Sequence, residues 1–85
     1  MKTKLVALTA LGTIMFACST ELEIQSTDVP PAVSAALMAK YPDAKNVEWE
    51  LEEEGDHILY EADFKSDGKR KEVHFRTDGT YVNEN

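Results

Sequence analysis

The sequence predicts an α+β fold: one amino-terminal helix packed on a four-stranded antiparallel meander sheet with strands in the order 1-2-3-4. Three observations predict it. Apolar residues recur at helical spacing once, across 31–41. From residue 47 onward the period is two instead, in four short runs. Each gap between those runs centres on an acidic residue followed by glycine: Glu54-Gly55, Asp67-Gly68 and Asp78-Gly79. Such pairs suit the positive φ angles of a tight hairpin, and gaps this short leave no room for a crossover.

The helix comes first. Thr27 or Asp28 stands near its start, and Pro30 and Pro31 are tolerated there because first-turn N–H groups lack helical partners. Val33, Leu37 and Tyr41 recur at i, i+4 and i+8 with Ala36 and Lys40 alongside, which makes one apolar stripe. Pro42 ends the helix. The stripe is read as core.

In the strands, Val47, Trp49 and Leu51 alternate with Glu48, Glu50 and Glu52. Ile58, Tyr60, Ala62 and Phe64 alternate with Leu59, Glu61 and Asp63, and Val73 and Phe75 with Glu72, His74 and Arg76. A short last run covers 80–83. If every turn has two residues, Glu53 faces Asp56, Ser66 faces Lys69 and Thr77 faces Thr80. That register predicts two apolar layers under the helix: Trp49–Tyr60–Phe75–Val82 and Val47–Ala62–Val73. A slip by one residue would turn a whole apolar set outward, so the agreement of four segments supports it. On the open face it predicts one row of Glu48, Glu61, His74 and Asn83 and another of Glu50, Leu59, Arg76 and Tyr81.

The amino terminus reads differently. Two lysines precede an uncharged apolar run across 5–16 that ends at Ala17. This is the pattern of an export signal, and it is too short for a bilayer span of about 20 residues. Residues 1–17 are therefore expected to be a lipoprotein signal peptide. The only cysteine follows immediately. Met15-Phe16-Ala17-Cys18 resembles the box at which bacterial lipoproteins are acylated and cut, with Met15 in place of the usual leucine and Phe16 bulkier than usual. Cys18 is the expected lipidation site and membrane attachment, since a lone thiol in an oxidising compartment otherwise has no role. Ser19 in place of aspartate points to an outer-membrane protein facing the periplasm or the cell surface. Residues 18–28 are largely polar and are expected to be a tether, with the domain occupying 29–85.

Composition narrows the function. With Lys2 and Lys4 removed, 7 of the 9 basic side chains face all 16 acidic ones. A surface so acidic repels nucleic acid and anionic lipid. No nucleophile–base pair, phosphate loop or spaced metal cluster stands out, and carboxylates on a solvated sheet face lack the perturbed environment that acid–base catalysis needs. The chain is accordingly read as non-catalytic, with no cofactor and no metal site. The row Glu48–Glu61–His74 is read as an ordinary cross-strand pairing of Glu61 with His74. Trp49 is read as core, His57 as solvated, and the acidic run 50–56 as surface. The candidate protein-contact face is Glu48, Glu50, Leu59, Glu61, His74, Arg76 and Tyr81, since Tyr and Arg are favoured at interface anchors.

The stretches VPPAVSAALMAKYPDAKNVEWELEE and LYEADFKSDGKRKEVHFRTDGTYV resemble the PepSY-like, putative β-lactamase-inhibitor-like domains of small exported bacterial lipoproteins. Tyr41-Pro42, Trp49 and the two Asp-Gly turns carry the resemblance, which spans about residues 29–83. It implies a helix on an antiparallel sheet and a non-catalytic role: binding or inhibiting another exported protein, such as a peptidase or hydrolase, through a sheet face. Members often hold two such units in tandem, whereas this chain has one. The alternatives are a self-assembly module, dimerising through the open face or an edge strand, and a weak metal or small-ligand sensor.

Overall fold

The computed structural model describes residues 19–84. The expected signal segment, residues 1–17, and the expected lipidation site, Cys18, lie outside the described residues. The sheet has five strands, one more than the sequence predicts: β1 (Ser19–Ile24), β2 (Lys45–Glu54), β3 (His57–Ser66), β4 (Lys69–Arg76) and β5 (Tyr81–Glu84), all antiparallel and in the order β1-β2-β3-β4-β5. The one α-helix of the described residues, α1 (Pro31–Lys40), lies between β1 and β2 rather than at the amino-terminal end of the fold. The stretch expected to be a tether therefore splits into strand β1 and a 3-10 turn over Ser26–Asp28. The physical reason is the alternation in Thr-Glu-Leu-Glu-Ile. Leu22 and Ile24 pair with Leu51 and Trp49 on the helix side, while Glu21 and Glu23 pair with Glu52 and Glu50 on the other.

The helix forms where the apolar stripe predicts. Pro31 occupies its first position, and Val33 and Leu37 are its buried residues. They join Val29, Trp49, Ala62, Phe64, Val73 and Phe75 in one core, with Ile24, Ala36, Tyr41, Ala44, Val47 and Tyr60 packed around it. Tyr41 ends the helix and sets its ring 5.0 Å from that of Phe64. The helix exit is tied to the β3–β4 hairpin through Asp43. Its carboxylate accepts a hydrogen bond from the Ser66 hydroxyl at 2.7 Å and another from the Asp67 N–H at 2.8 Å. Together these bonds hold the Asp43 carboxyl below its ordinary range, the Ser66 bond most.

The three hairpins differ in kind. At Asp67-Gly68 both central residues have positive φ, 55° and 76°, and Ser66 faces Lys69 as expected. Between β2 and β3 the turn is Gly55-Asp56, with glycine first at φ 60°, so Glu54 rather than Glu53 begins the loop and faces His57. Trp49 then lies opposite Ala62 and Leu51 opposite Tyr60. The expected partners are displaced by two, which leaves every residue on its expected face.

The third hairpin overturns an expectation about a face. Its loop has three residues: the Gly79 N–H donates to the Arg76 carbonyl, the Arg76 N–H donates to the Thr80 carbonyl, and Gly79 takes a φ of 92°. The extra residue brings Tyr81, not Val82, opposite Phe75. A bulge then restores the expected pairing of His74 with Asn83. Tyr81 thus packs edge-on against Phe75 at 6.0 Å on the helix side, under the Lys40 ammonium at 4.3 Å from its ring centre.

Candidate functional site

The register and the period-two alternation put six of the seven predicted contact residues on one face: Glu48, Glu50, Leu59, Glu61, His74 and Arg76. Tyr81 is not among them, for the reason just given. The same alternation adds Glu21, Glu23, Glu52, Asp63 and Glu72, which makes the face opposite the helix strongly acidic. Arg70 pairs with Asp63 at its margin. The rows run Glu23–Glu50–Glu61–His74–Asn83 and Glu21–Glu52–Leu59–Arg76, and Glu48 lies opposite Asp63 rather than Glu61.

Two side chains at the centre of this face are buried although no secondary-structure element of the described residues covers it. Glu61 is 4% exposed and His74 is 6% exposed. They sit on the inner strands β3 and β4, with Glu50 and Glu52 of β2 on one side and Asn83 of β5 on the other. His74 Nε2 lies 3.4 Å from Glu52 Oε2 and 3.6 Å from Glu61 Oε1. Its other nitrogen, Nδ1, has no hydrogen-bond partner among the described residues. The cross-strand pairing of Glu61 with His74 expected from the sequence is therefore present, but it is one side of a triangle. Glu52 is the residue that sequence reasoning missed. Its approach to His74 crosses β3 diagonally, and only the two-residue change in hairpin register reveals it.

The carboxyls do not behave as solvated surface groups. Burial pushes the Glu61 carboxyl up to about 9, assisted by its hydrogen bonds to Glu72 and Glu52 and by the charges of Glu72 and Glu50. Burial also opposes ionisation of Glu52, but its contacts with Glu61, His74 and Glu21 outweigh it and hold that carboxyl below its usual range. Glu21 is raised by its hydrogen bond to Glu52, and Glu50 by burial. The Glu61 carboxyl thus favours its protonated form well above the ordinary carboxylate range. This overturns the premise that nothing on this face would perturb a carboxylate: the inner strands are shielded enough, and the like charges close enough, to do so.

By contrast, the ionic contacts on the helix side are ordinary. Lys71 Nζ reaches Glu84 at 3.2 Å, and the Tyr41 hydroxyl donates to the same carboxylate at 3.1 Å. Both contacts lower Glu84, the lysine most. His57 stands exposed beside the β2–β3 turn, as expected. Among the described residues no helix is long and apolar enough to cross a membrane. In comparisons with known proteins, the chain matches no family model, no curated protein and no solved structure.

Proposed function

We propose that this protein is a lipid-anchored, non-catalytic binding module of the bacterial cell envelope, of the PepSY-like, β-lactamase-inhibitor-like kind. It captures another exported protein on its open sheet face, with a peptidase or hydrolase as the kind of target. The observation that carries the reading is the unequal treatment of the two sheet faces. One is closed by α1 over an apolar core, while the other gathers Glu21, Glu23, Glu48, Glu50, Glu52, Glu61, Asp63 and Glu72 with little basic compensation. Concentrated like charge works against folding, and it suits recognition of a basic surface, whose approach it steers.

The same charge argues against the self-assembly alternative in one of its two forms. Two copies meeting through this face would set carboxylate against carboxylate, so a dimer would have to use an edge, β1 or β5. The strand positions indicate where an anchor at Cys18 would sit. Cys18 stands one residue before β1, and Ser19 lies opposite Glu54 beside the β2–β3 turn. A lipid on Cys18 would therefore hold that end of the sheet close to the bilayer, without a spacer.

The test is capture from native envelope extract at low salt, comparing the wild-type chain with Glu48→Lys/Glu50→Lys and with Met38→Lys on the exposed side of α1. The expected result is a basic partner held by the wild type and by Met38→Lys, released by salt, and lost with the double variant. Equal capture by all three would refute the reading. Loss of lipid-precursor labelling in Cys18→Ala checks the anchor separately.

A further inference from the structure

We infer that Glu52, Glu61 and His74 form a site for one divalent transition-metal ion, with zinc(II) as the ion their chemistry suits best. The site does not depend on a protein partner occupying the open face. One ligand atom from each of the three residues lies within 4.8 Å of the others. In tetrahedral coordination, zinc–nitrogen and zinc–oxygen bonds of about 2.0–2.2 Å place neighbouring ligand atoms roughly 3.3–3.6 Å apart. The separations from His74 Nε2, 3.4 Å to Glu52 and 3.6 Å to Glu61, fall at that spacing.

Acidic clusters are common without an ion, and the histidine is what sets this one apart. The His74 side chain is only 8% exposed, so it is not a solvated surface group. Nδ1 has no partner among the described residues, and an ion at Nε2 would leave it so; the contact that points to an ion is the one at Nε2. Nε2 points into the carboxyl cluster at distances longer than the usual 2.9–3.0 Å or so of an N–H···O bond. The protein therefore holds a buried imidazole against two carboxyls without a good hydrogen bond to it. A metal ion between the three groups would make the contact that the hydrogen bonds do not. It would also neutralise the charge that Glu21 and Glu50 add, since both belong to an overlapping ligand group with Glu52 and Glu61. One nitrogen and two oxygens suit zinc, whereas calcium and magnesium favour all-oxygen sets of six or more ligands.

The experiment is a zinc titration of the full chain, by calorimetry and by NMR of the histidine ring signals. The account expects one zinc ion bound per chain, movement of the His74 ring signals but not those of His57, and no competition from an excess of calcium or magnesium. His74→Gln and Glu61→Gln should each weaken binding by at least about tenfold. His57→Gln and Cys18→Ser, which remove the other imidazole and the only thiol, should bind as the wild type does. The ring signals are read on the unaltered chain, so the test stands even if a variant fails to fold. Zinc binding that follows His57 or Cys18, competition by calcium at equal concentration, or absence of binding at millimolar zinc would each overturn the proposal.

Discussion

The two faces of this sheet are made from the same four β2–β5 segments plus β1, residue by alternate residue, yet they obey opposite rules. On the helix side, Phe64, Val73, Phe75 and Ala62 are fully buried, and the polar groups at the margin find partners: Asp43 with Ser66 and Asp67, and Glu84 with Lys71 and Tyr41. On the open side, the most buried groups are an acid and an imidazole, and the acid is surrounded by other acids. One face stabilises the fold, while the other is tolerated by it. The difference teaches that burial on the open face has to be explained by something other than the core.

The largest effect that would test this contrast is on the covered face. Phe75→Ala removes a fully buried ring that packs against Tyr81 and should destabilise the domain by about 3–5 kcal/mol, read by urea unfolding. Next is Gly79→Ala. Gly79 holds a φ of 92°, and a Cβ there would stand 2.7 Å from the Ala32 carbonyl oxygen of α1. The turn and the helix cannot both keep their places, and a loss of about 1–3 kcal/mol is expected in the same measurement. A cost near zero would mean that α1 is free to shift from the sheet.

The faces should also answer pH in opposite senses. Asp43 and Glu84 titrate lower in the folded chain than their ordinary values of 3.8 and 4.5. The stability they contribute is therefore present above those values and is lost as the pH falls through the folded ones. Asp43→Ala should speed amide exchange at Asp67 and flatten this acid limb. Glu61 has the reverse sign, because its folded value of about 9 lies above the ordinary 4.5. Its contribution is complete below about 4.5 and is withdrawn as the pH rises toward 9, with Glu50, Glu52, Glu72 and His74 as the groups that face it. Unfolding monitored by urea from pH 3 to pH 9 should thus show greatest stability on the acid side of neutrality.

What the sequence shows of this arrangement follows from which errors a strand period forgives. The helix, the four later strands and the membership of each face are legible because period-two alternation fixes the face independently of the partner. The β2–β3 turn could close on Glu54-Gly55 or on Gly55-Asp56. The two choices differ by two residues in register, so they exchange Tyr60 for Ala62 opposite Trp49 without moving any side chain across the sheet. At the third hairpin the choice was between a two-residue and a three-residue loop, an odd difference, and there Tyr81 changes face. Strand β1 was hidden because an edge strand needs few apolar residues, and Leu22 remains 54% exposed even when paired. The triangle of Glu52, Glu61 and His74 spans three strands, so no linear spacing announces it.

The most direct test of the contrast between the faces is the stability of Glu61→Gln at pH 8. If the centre of the open face is held at the expense of folding, replacing this carboxyl with an uncharged amide of the same shape should raise stability by about 1–3 kcal/mol at pH 8. It should make little difference near pH 5, because the unfolded chain ionises this group only above about 4.5 and the folded chain then gives up little by keeping the proton. A variant less stable than the wild type at pH 8 would contradict the account, because it would make Glu61 and its neighbours a structural network like the one around Asp43.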